Sequence, residues 1–188
     1  PNPSDVHILA GDFNASTAAL SVSHPAALGS DFTSATGKYI LATPTDMDTT
    51  NEASGVWWLD PAAGPGAGLM LPTLPAGWKY EGWAVINGMP LSTGTFTDAM
   101  MADDAAPFSG PNAGPPFPGE DFLQNAPSGT TFPTDLRGDV VVISVEPVPD
   151  NSPMPFLLKP LVGMVDATAN VHSTQMMNNN AIATNPSG

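Results

Sequence analysis

The chain contains no cysteine, which excludes disulfide bonds, thiol catalysis and cysteine-ligated zinc for these 188 residues. Basic residues are also scarce. Four Lys and Arg stand against 18 Asp and Glu, so the formal net charge is −14 at pH 7. Binding to nucleic acid or to an anionic membrane surface depends on clustered basic side chains. The composition therefore predicts neither kind of partner.

Long apolar runs and helical patterns are missing as well. No run approaches the roughly 18 residues of a membrane-spanning helix, so we expect no membrane insertion. No segment has a convincing helical period, and 22 Pro and 18 Gly disfavour long helices. Hydrophobic residues still make up 41% of the chain, which is enough for a core. We therefore expect an all-β protein with short strands and many turns.

Two segments carry the clearest strand signals. Residues 80–86 and 89–96 flank Asn87-Gly88, a pair that accepts the positive φ angles of a type I′ turn, so this stretch predicts a β-hairpin. Residues 140–148 are β-branched almost throughout, which is typical of a strand in the middle of a sheet with both faces covered. Residues 156–162 are predicted to pair with that strand across a proline-bearing turn.

The predicted architecture is an antiparallel β-sandwich over residues 20–166, with an extended arm at each end. Residues 1–19 form the N-terminal arm, and residues 167–188 form a polar C-terminal tail rich in Asn, Ser and Thr. Segments of this composition are mobile unless something holds them. The arm contains the apolar run from Val6 to Ala10, which suits addition as a strand to the sheet edge of another subunit.

Residues 98–138 form a long loop with seven Pro and five Gly. Phe108, Phe117 and Phe122 are spaced along it, which argues against disorder because each ring would otherwise stand in water. One interpretation is a loop pinned to the sandwich by its own aromatic rings. The other is an interface with a partner, because proline lowers the entropy cost of holding the loop's shape.

No motif for catalysis is present. The three His residues are far apart, and the chain has no His-Glu-x-x-His, Gly-x-Ser-x-Gly or phosphate-binding glycine loop. We expect no enzymatic activity and no cofactor. The adjacent carboxylates Asp103-Asp104 and Glu120-Asp121 are of the type used in acid–base chemistry, but ordinary solvated side chains are the expected outcome.

One acidic loop is a candidate for calcium. Asp46, Asp48 and Glu52 offer oxygen ligands at spaced positions, as calcium loops do. The loop lacks the glycine of the sharp turn and the final spaced Glu of such sites, so a solvated acidic loop is the alternative. Asn14-Ala15-Ser16 is a glycosylation sequon, which makes Asn14 a candidate for modification if the chain is exported.

Two short motifs resemble the extracytoplasmic domain of the anti-sigma-K factor family. The first runs from Trp78 to Phe96, with a Tyr-x-x-Trp strand, a tight turn and then Pro-x-Ser-x-Gly-x-Phe. The second is the Val145-Glu146-Pro147 strand end before a polar, proline-bearing turn. The resemblance implies an antiparallel β-sandwich outside the cytoplasm. It does not imply sigma-factor inhibition, which belongs to a separate cytoplasmic segment of that family.

Two functions from different classes fit these observations. The first is a secreted or cell-surface structural subunit that polymerises with itself through its terminal arm. The second is a monomeric extracytoplasmic module that senses or binds a ligand through the long loop and any exposed Trp. The candidate interface residues are Val6, Ile8, Phe108, Phe117 and Phe122.

Overall fold

The computed structural model describes residues 6–62 and 64–188. Its strands, in chain order, are β1 (Phe13–Asn14), β2 (Thr17–Ala18), β3 (Thr36–Leu41), β4 (Gly55–Trp57), β5 (Leu59–Asp60), β6 (Gly66–Ala67), β7 (Leu69–Met70), β8 (Trp78–Ile86), β9 (Met89–Phe96), β10 (Gly119–Asp121), β11 (Val140–Pro147), β12 (Leu161–Met164) and β13 (Gln175–Asn179). The helical elements described are a 3₁₀ turn, Glu52–Ser54, and a single α-turn, α1 (Ala181–Thr184). None of the described helices is long or apolar enough to cross a membrane.

Most of the strands belong to one antiparallel sheet. Its order is β10-β4-β3-β13-β12-β11-β8-β9, with β7 also pairing with β3. The two end strands, β9 and β10, lie close to each other, so the sheet curls into a nearly closed barrel. The prediction of an all-β, antiparallel fold is confirmed. The predicted sandwich of two facing sheets differs from this arrangement, because the strands are hydrogen-bonded along one continuous path.

The two strongest strand predictions are confirmed. β8 and β9 form a hairpin whose turn residues, Asn87 and Gly88, have φ angles of 51° and 82°. β11 lies between β8 and β12, and its central residues are buried on both faces. Burial on both faces means that every side chain of β11, polar ones included, must find its partners inside the protein.

The C-terminal segment, predicted as a polar tail, contributes a strand to the middle of the sheet. β13 pairs with β12 on one side and with β3 on the other. Met177 points into the core, and the Asn179 amide donates to the carbonyl oxygens of Phe32 (2.8 Å) and Ala35 (2.9 Å). The strand is therefore held by its neighbours and by side-chain amides, not by an apolar pattern of its own.

The strand predicted at residues 156–162 begins later than expected. β12 starts at Leu161, directly after Pro160. Before it, the backbone bond to β11 found among the described residues is from the Val145 N–H to the Leu158 carbonyl oxygen, at 2.9 Å. Proline has no N–H to contribute to a ladder, which explains why regular pairing is delayed until the last proline is passed.

The long loop, residues 98–138, is pinned to the sheet by its own aromatic rings. Phe108, Phe122 and Phe132 pack on one another, with ring centroids 5.4–5.7 Å apart, and contact the main core. Phe117 packs with Trp57 in a second cluster on the outer face of β4. The loop thus covers both surfaces of the sheet, and its strand β10 pairs with β4.

The N-terminal arm lies against its own chain. Ala10 and Ser21 exchange two backbone hydrogen bonds, and Val6 and Ile8 are partly buried against the core. Ser21 also bridges to Ser187, so the two terminal segments meet. Residues 1–5 of the predicted arm lie outside the described residues.

Replacing Phe122 by Ala tests whether the aromatic rings hold the loop. Phe122 is fully buried, so Phe122→Ala is expected to lower the free energy of unfolding by about 3–5 kcal/mol through lost burial and a cavity. Phe13, which is 82% exposed, supplies the matched control: Phe13→Ala is expected to leave stability unchanged. Chemical denaturation of both variants measures the difference. Equal stability would contradict the pinned-loop packing.

Candidate functional site

The feature that stands out is a pair of buried glutamates on the neighbouring strands β8 and β11. Glu81 on β8 lies opposite Ser144 on β11, and Glu146 lies opposite Lys79. Because side chains alternate along a strand, all four residues are on the outer face of the sheet. Glu81 is 5% exposed and Glu146 is 1% exposed, which is rare for glutamate.

One oxygen of each glutamate is well bonded. The Ser92 hydroxyl donates to Oε1 of Glu81, and the Ser144 hydroxyl donates to Oε1 of Glu146. The indole N–H of Trp83 in turn donates to the Ser144 oxygen at 2.8 Å. The backbone N–H of Phe156 also donates to Oε1 of Glu146, at 2.8 Å, which ties the loop after β11 to the sheet.

The other oxygen of each glutamate is buried and has no hydrogen-bond partner among the described residues. These are Oε2 of Glu81 and Oε2 of Glu146. Asp150, on the loop after β11, is the third member of the group: each of the three residues offers an oxygen, and these oxygens all lie within 4.8 Å of one another. We call Glu81, Glu146 and Asp150 the carboxylate cluster.

Basic side chains near the cluster are engaged elsewhere. Lys79 lies directly opposite Glu146, yet its ammonium group donates to Asp104 at 2.7 Å and to Thr95 at 3.1 Å. Lys159 donates to the Phe156 carbonyl oxygen at 2.5 Å. The structure therefore gives the cluster three acidic groups and no direct ion pair within the described residues.

Burial disfavours the charged form of both glutamates. It raises the pKa of Glu81 to about 7, and the nearby charges of Glu146 and Asp150 act in the same direction. Burial also raises the pKa of Glu146, against the opposing effect of the Ser144 hydrogen bond. Carboxylates in this arrangement can take up a proton or hold a hard cation.

A second set of buried acidic groups corrects an expectation from the sequence. Glu120 and Asp121 on β10 are fully buried, not solvated. Asp121 accepts from the Trp57 indole at 2.6 Å and from the Thr45 backbone N–H at 2.8 Å, and Glu120 accepts from the Ser109 hydroxyl. These carboxylates are enclosed because the long loop folds back over β4 and supplies their donors.

Burial also raises the pKa of Glu120, of Asp121 and of Asp103, which lies near Gly119. The pKa of Glu120 rises to about 7, and that of Asp103 rises to about 8. Asp103 accepts from the Gly119 backbone N–H at 2.9 Å, which opposes the rise. Asp104, by contrast, keeps a lowered pKa: burial alone would raise it, but hydrogen bonds from Lys79 and Thr95 prevail.

The candidate calcium loop does not converge on one point. Asp46 accepts from the Asp48 N–H, and Asp48 accepts from the Thr50 N–H and hydroxyl, so these oxygens serve local turns. Glu52 points away to Thr43 and to the ring of His172, 3.0 Å from its Oε2. In the described part of the chain, the group of three acidic residues close enough to share an ion is the carboxylate cluster.

The other predicted site residues are placed as follows. Phe117 and Phe122 are buried, and Phe108 is half-buried, all within their own chain. An interface through these rings would require the loop to leave its sheet. Asn14 is exposed at the end of β1, beside a turn in which Ala15 has a φ of 57°. The sequon thus lies at an accessible hairpin tip.

The sequence analysis does not single out Glu81 or Glu146, although one signal points to Glu146. Residues 140–148 predict a strand covered on both faces, and Glu146 lies inside that stretch. A glutamate in such a strand is necessarily buried. No comparable signal marked Glu81, because its burial follows from the pairing of β8 with β11 and from Asp150 closing over the same face.

Three surface cavities have volumes of about 410, 830 and 200 Å³, and the residues that line them do not include Glu81 or Glu146. The carboxylate cluster itself has the composition of a site for a proton or a single cation.

Raised carboxyl pKa values predict a definite pH dependence of stability. Glu81, Glu120 and Asp103 hold protons in the folded chain that they release on unfolding above about pH 4–5. Stability is therefore expected to fall as pH rises through 7 to 8, the folded-state pKa values. In chelator-containing buffer, the melting temperature is expected to drop by roughly 5 °C or more between pH 5.5 and 8.5, since each kcal/mol lost lowers it by about 2–4 °C. A melting temperature that rises over this range would contradict the assignment.

Comparison of the chain with models of protein families, with curated proteins and with solved structures found no match. The resemblance of two short motifs to the anti-sigma-K factor family therefore stays a prediction. What the chain does has to be inferred from the geometry of its sheet edges, its exposed apolar side chains and its carboxylates.

Proposed function

We propose that this chain is a non-enzymatic structural subunit that assembles with copies of itself by strand addition at the outer edge of β9. The observation that carries the proposal is the incomplete closure of the barrel. β9 pairs with β8 on one side, and β10, the strand facing it across the gap, is only three residues long. A sheet that stops short of closure leaves backbone groups for another strand.

The unpaired stretch of β9 is long enough to receive a strand. On the edge of β9 that faces away from β8, one backbone hydrogen bond is found among the described residues. The Asp104 N–H donates to the Thr95 carbonyl oxygen at 3.0 Å. Residues 103–105 lie against Gly94 and so cover that end of β9. Residues 89–93 have no backbone bond on this side within the described chain, and they form the proposed acceptor edge.

The proposed occupant is the N-terminal arm of a second copy. Val6, Ile8 and Ala10 alternate with His7 and Leu9, which gives the arm one consistently apolar face. In a single chain, Ala10 pairs with Ser21, and Val6 and Ile8 pack against the core, so exchange would replace these contacts by equivalent ones on a second copy. A head-to-tail exchange of this kind produces fibres unless it closes into a ring.

Exposed apolar side chains support contacts between copies. Phe13 is 82% exposed at the tip of the β1–β2 hairpin. Met164 on β12 and Met176 on β13 are 64% and 61% exposed on adjacent strands. Large apolar side chains grouped on a surface often mark a contact site, whereas single exposed apolar side chains do not. The net charge of −14 opposes association, so assembly is expected to need salt or cations.

The proposal includes a location outside the cytoplasm, at the cell surface or secreted. Its support is the composition, which is poor in Lys and rich in Asp, Thr, Ser and Asn, and the resemblance of two motifs to an extracytoplasmic domain. The partner in this account is the chain itself, with no nucleic acid and no insertion into a membrane.

A second candidate function rests on an open groove of about 830 Å³. Tyr80 and Phe96 form part of its lining, and the exposed side chains of Met70 and Met100 stand at its sides. Flexible methionines around an aromatic floor suit the binding of apolar ligands. In this alternative the chain is a monomeric sensing or binding module, and a ligand would change the fluorescence of its Trp residues.

Two matched substitutions in the arm test the structural-subunit proposal. Ile8→Asp places a charge on the apolar face of the arm, whereas His7→Asp places it on the exposed face. Light scattering and electron microscopy at low and high salt measure assembly. The unmodified chain is expected to assemble, and His7→Asp is expected to assemble equally well. Ile8→Asp is expected to reduce assembly by at least about tenfold, since a carboxylate in an apolar contact costs more than 1.4 kcal/mol.

The melting temperature of each variant serves as the control for folding. Ile8→Asp must remain folded for its loss of assembly to count. A chain that stays a monomer near 19.3 kDa at every salt concentration would overturn the proposal, as would assembly that Ile8→Asp leaves intact.

A further inference from the structure

We propose that the carboxylate cluster of Glu81, Glu146 and Asp150 is a binding site for a divalent cation of the calcium type. The site goes beyond the proposed assembly, because its evidence is independent of β9 and of the arm. Two observations carry it: three acidic side chains converge, and one oxygen of each buried glutamate has no hydrogen-bond partner.

The unpartnered oxygens need a ligand. A buried carboxylate oxygen without a partner costs several kcal/mol, since it loses its water and gains nothing in return. Neither Lys79 nor Lys159 reaches the cluster, because each is bonded elsewhere. A cation between Glu81 and Glu146 would supply the missing interaction to both oxygens at once.

The spacing of the oxygens fits a single shared ion. Oxygens on opposite sides of one calcium ion are separated by up to twice the bond length of about 2.3–2.6 Å. The observed limit of 4.8 Å between the three ligand oxygens fits within that span.

The donor set indicates the class of ion. All three ligands are carboxylate oxygens, which select hard cations such as Ca²⁺, Mg²⁺ or Mn²⁺ over metals that prefer nitrogen or sulfur. Mg²⁺ requires near-ideal octahedral geometry at about 2.0–2.1 Å, whereas Ca²⁺ accepts irregular sets at longer distances. Asp150 is exposed, so it offers an entry path and leaves room for water to complete the coordination.

Binding would also join two parts of the fold. Glu81 and Glu146 belong to the neighbouring strands β8 and β11, and Asp150 belongs to the loop that follows β11. That loop is already attached to Glu146 through the Phe156 N–H. An ion held by all three residues would fix residues 148–158 against the outer face of the sheet.

Terbium luminescence gives the direct test, with Tb³⁺ as a probe for a calcium site. Trp83 is two hydrogen bonds from Glu146, through Ser144, so it is placed to sensitise the emission of a bound Tb³⁺. We expect sensitised emission at pH 7 that Ca²⁺ displaces. Asp150→Asn and Glu146→Gln are expected to weaken binding more than about tenfold, since even outer-shell partners of metal ligands are worth about 10–100-fold.

Two variants control for other origins of the signal. Trp83→Phe is expected to lower the sensitised emission, because it removes the indole that is linked to Glu146 through Ser144. Asp46→Asn/Asp48→Asn removes two carboxylates from the acidic loop and is expected to leave Tb³⁺ binding unchanged. Loss of binding in the loop variant, with retention in Asp150→Asn and Glu146→Gln, would overturn the proposal.

The effect of Glu81→Gln on the melting temperature, with and without Ca²⁺, distinguishes a metal site from a pair of buried carboxyl groups that binds no metal. Without metal at pH 8, Glu81→Gln is expected to raise the melting temperature, because it removes a buried charge beside Glu146. With Ca²⁺, the unmodified chain is expected to gain stability and Glu81→Gln to gain little. A melting temperature of the unmodified chain that is insensitive to Ca²⁺ and to Mn²⁺ at millimolar concentration would overturn the site.

Discussion

The pairing of β8 with β11 places two glutamates on a buried face, and the rest of the structure has to accommodate them. This is the longest regular pairing in the sheet, running from Val85 and Val140 to Trp78 and Pro147. Its outer face is covered, so Glu81 and Glu146 are removed from water in a chain that already carries a net charge of −14. Two serine hydroxyls and a backbone N–H donate to one oxygen of each glutamate, and the Trp83 N–H donates to one of those serines. A cation would satisfy the remainder.

The proposed assembly and the proposed cation site would both depend on ions. Strand addition at β9 would bring together subunits of strong negative charge, so salt or bound cations would favour their approach. A cation held by Glu81, Glu146 and Asp150 would lower the charge of each subunit and fix the loop after β11. The two proposals remain separable, because the arm and the cluster share no residue.

Local signals in the sequence predicted local structure well. Asn87-Gly88 identified the hairpin, and the β-branched run identified β11, because turn chemistry and burial are encoded by neighbouring residues. β13 could not be predicted in this way: its sequence, Gln175–Asn179, has no strand pattern, and its neighbours and the Asn179 amide hold it. The carboxylate cluster could not be predicted for a similar reason. It depends on the register between β8 and β11, whose residues Glu81 and Glu146 are 65 positions apart in the sequence.

The most direct test of the central claim is a crystal structure grown with Mn²⁺, analysed by an anomalous difference map. The account predicts a peak bonded to oxygens of Glu81, Glu146 and Asp150, with the loop after β11 closed over it. An ordered cluster with no anomalous peak, or a peak only at the acidic loop of Asp46 and Asp48, would contradict it.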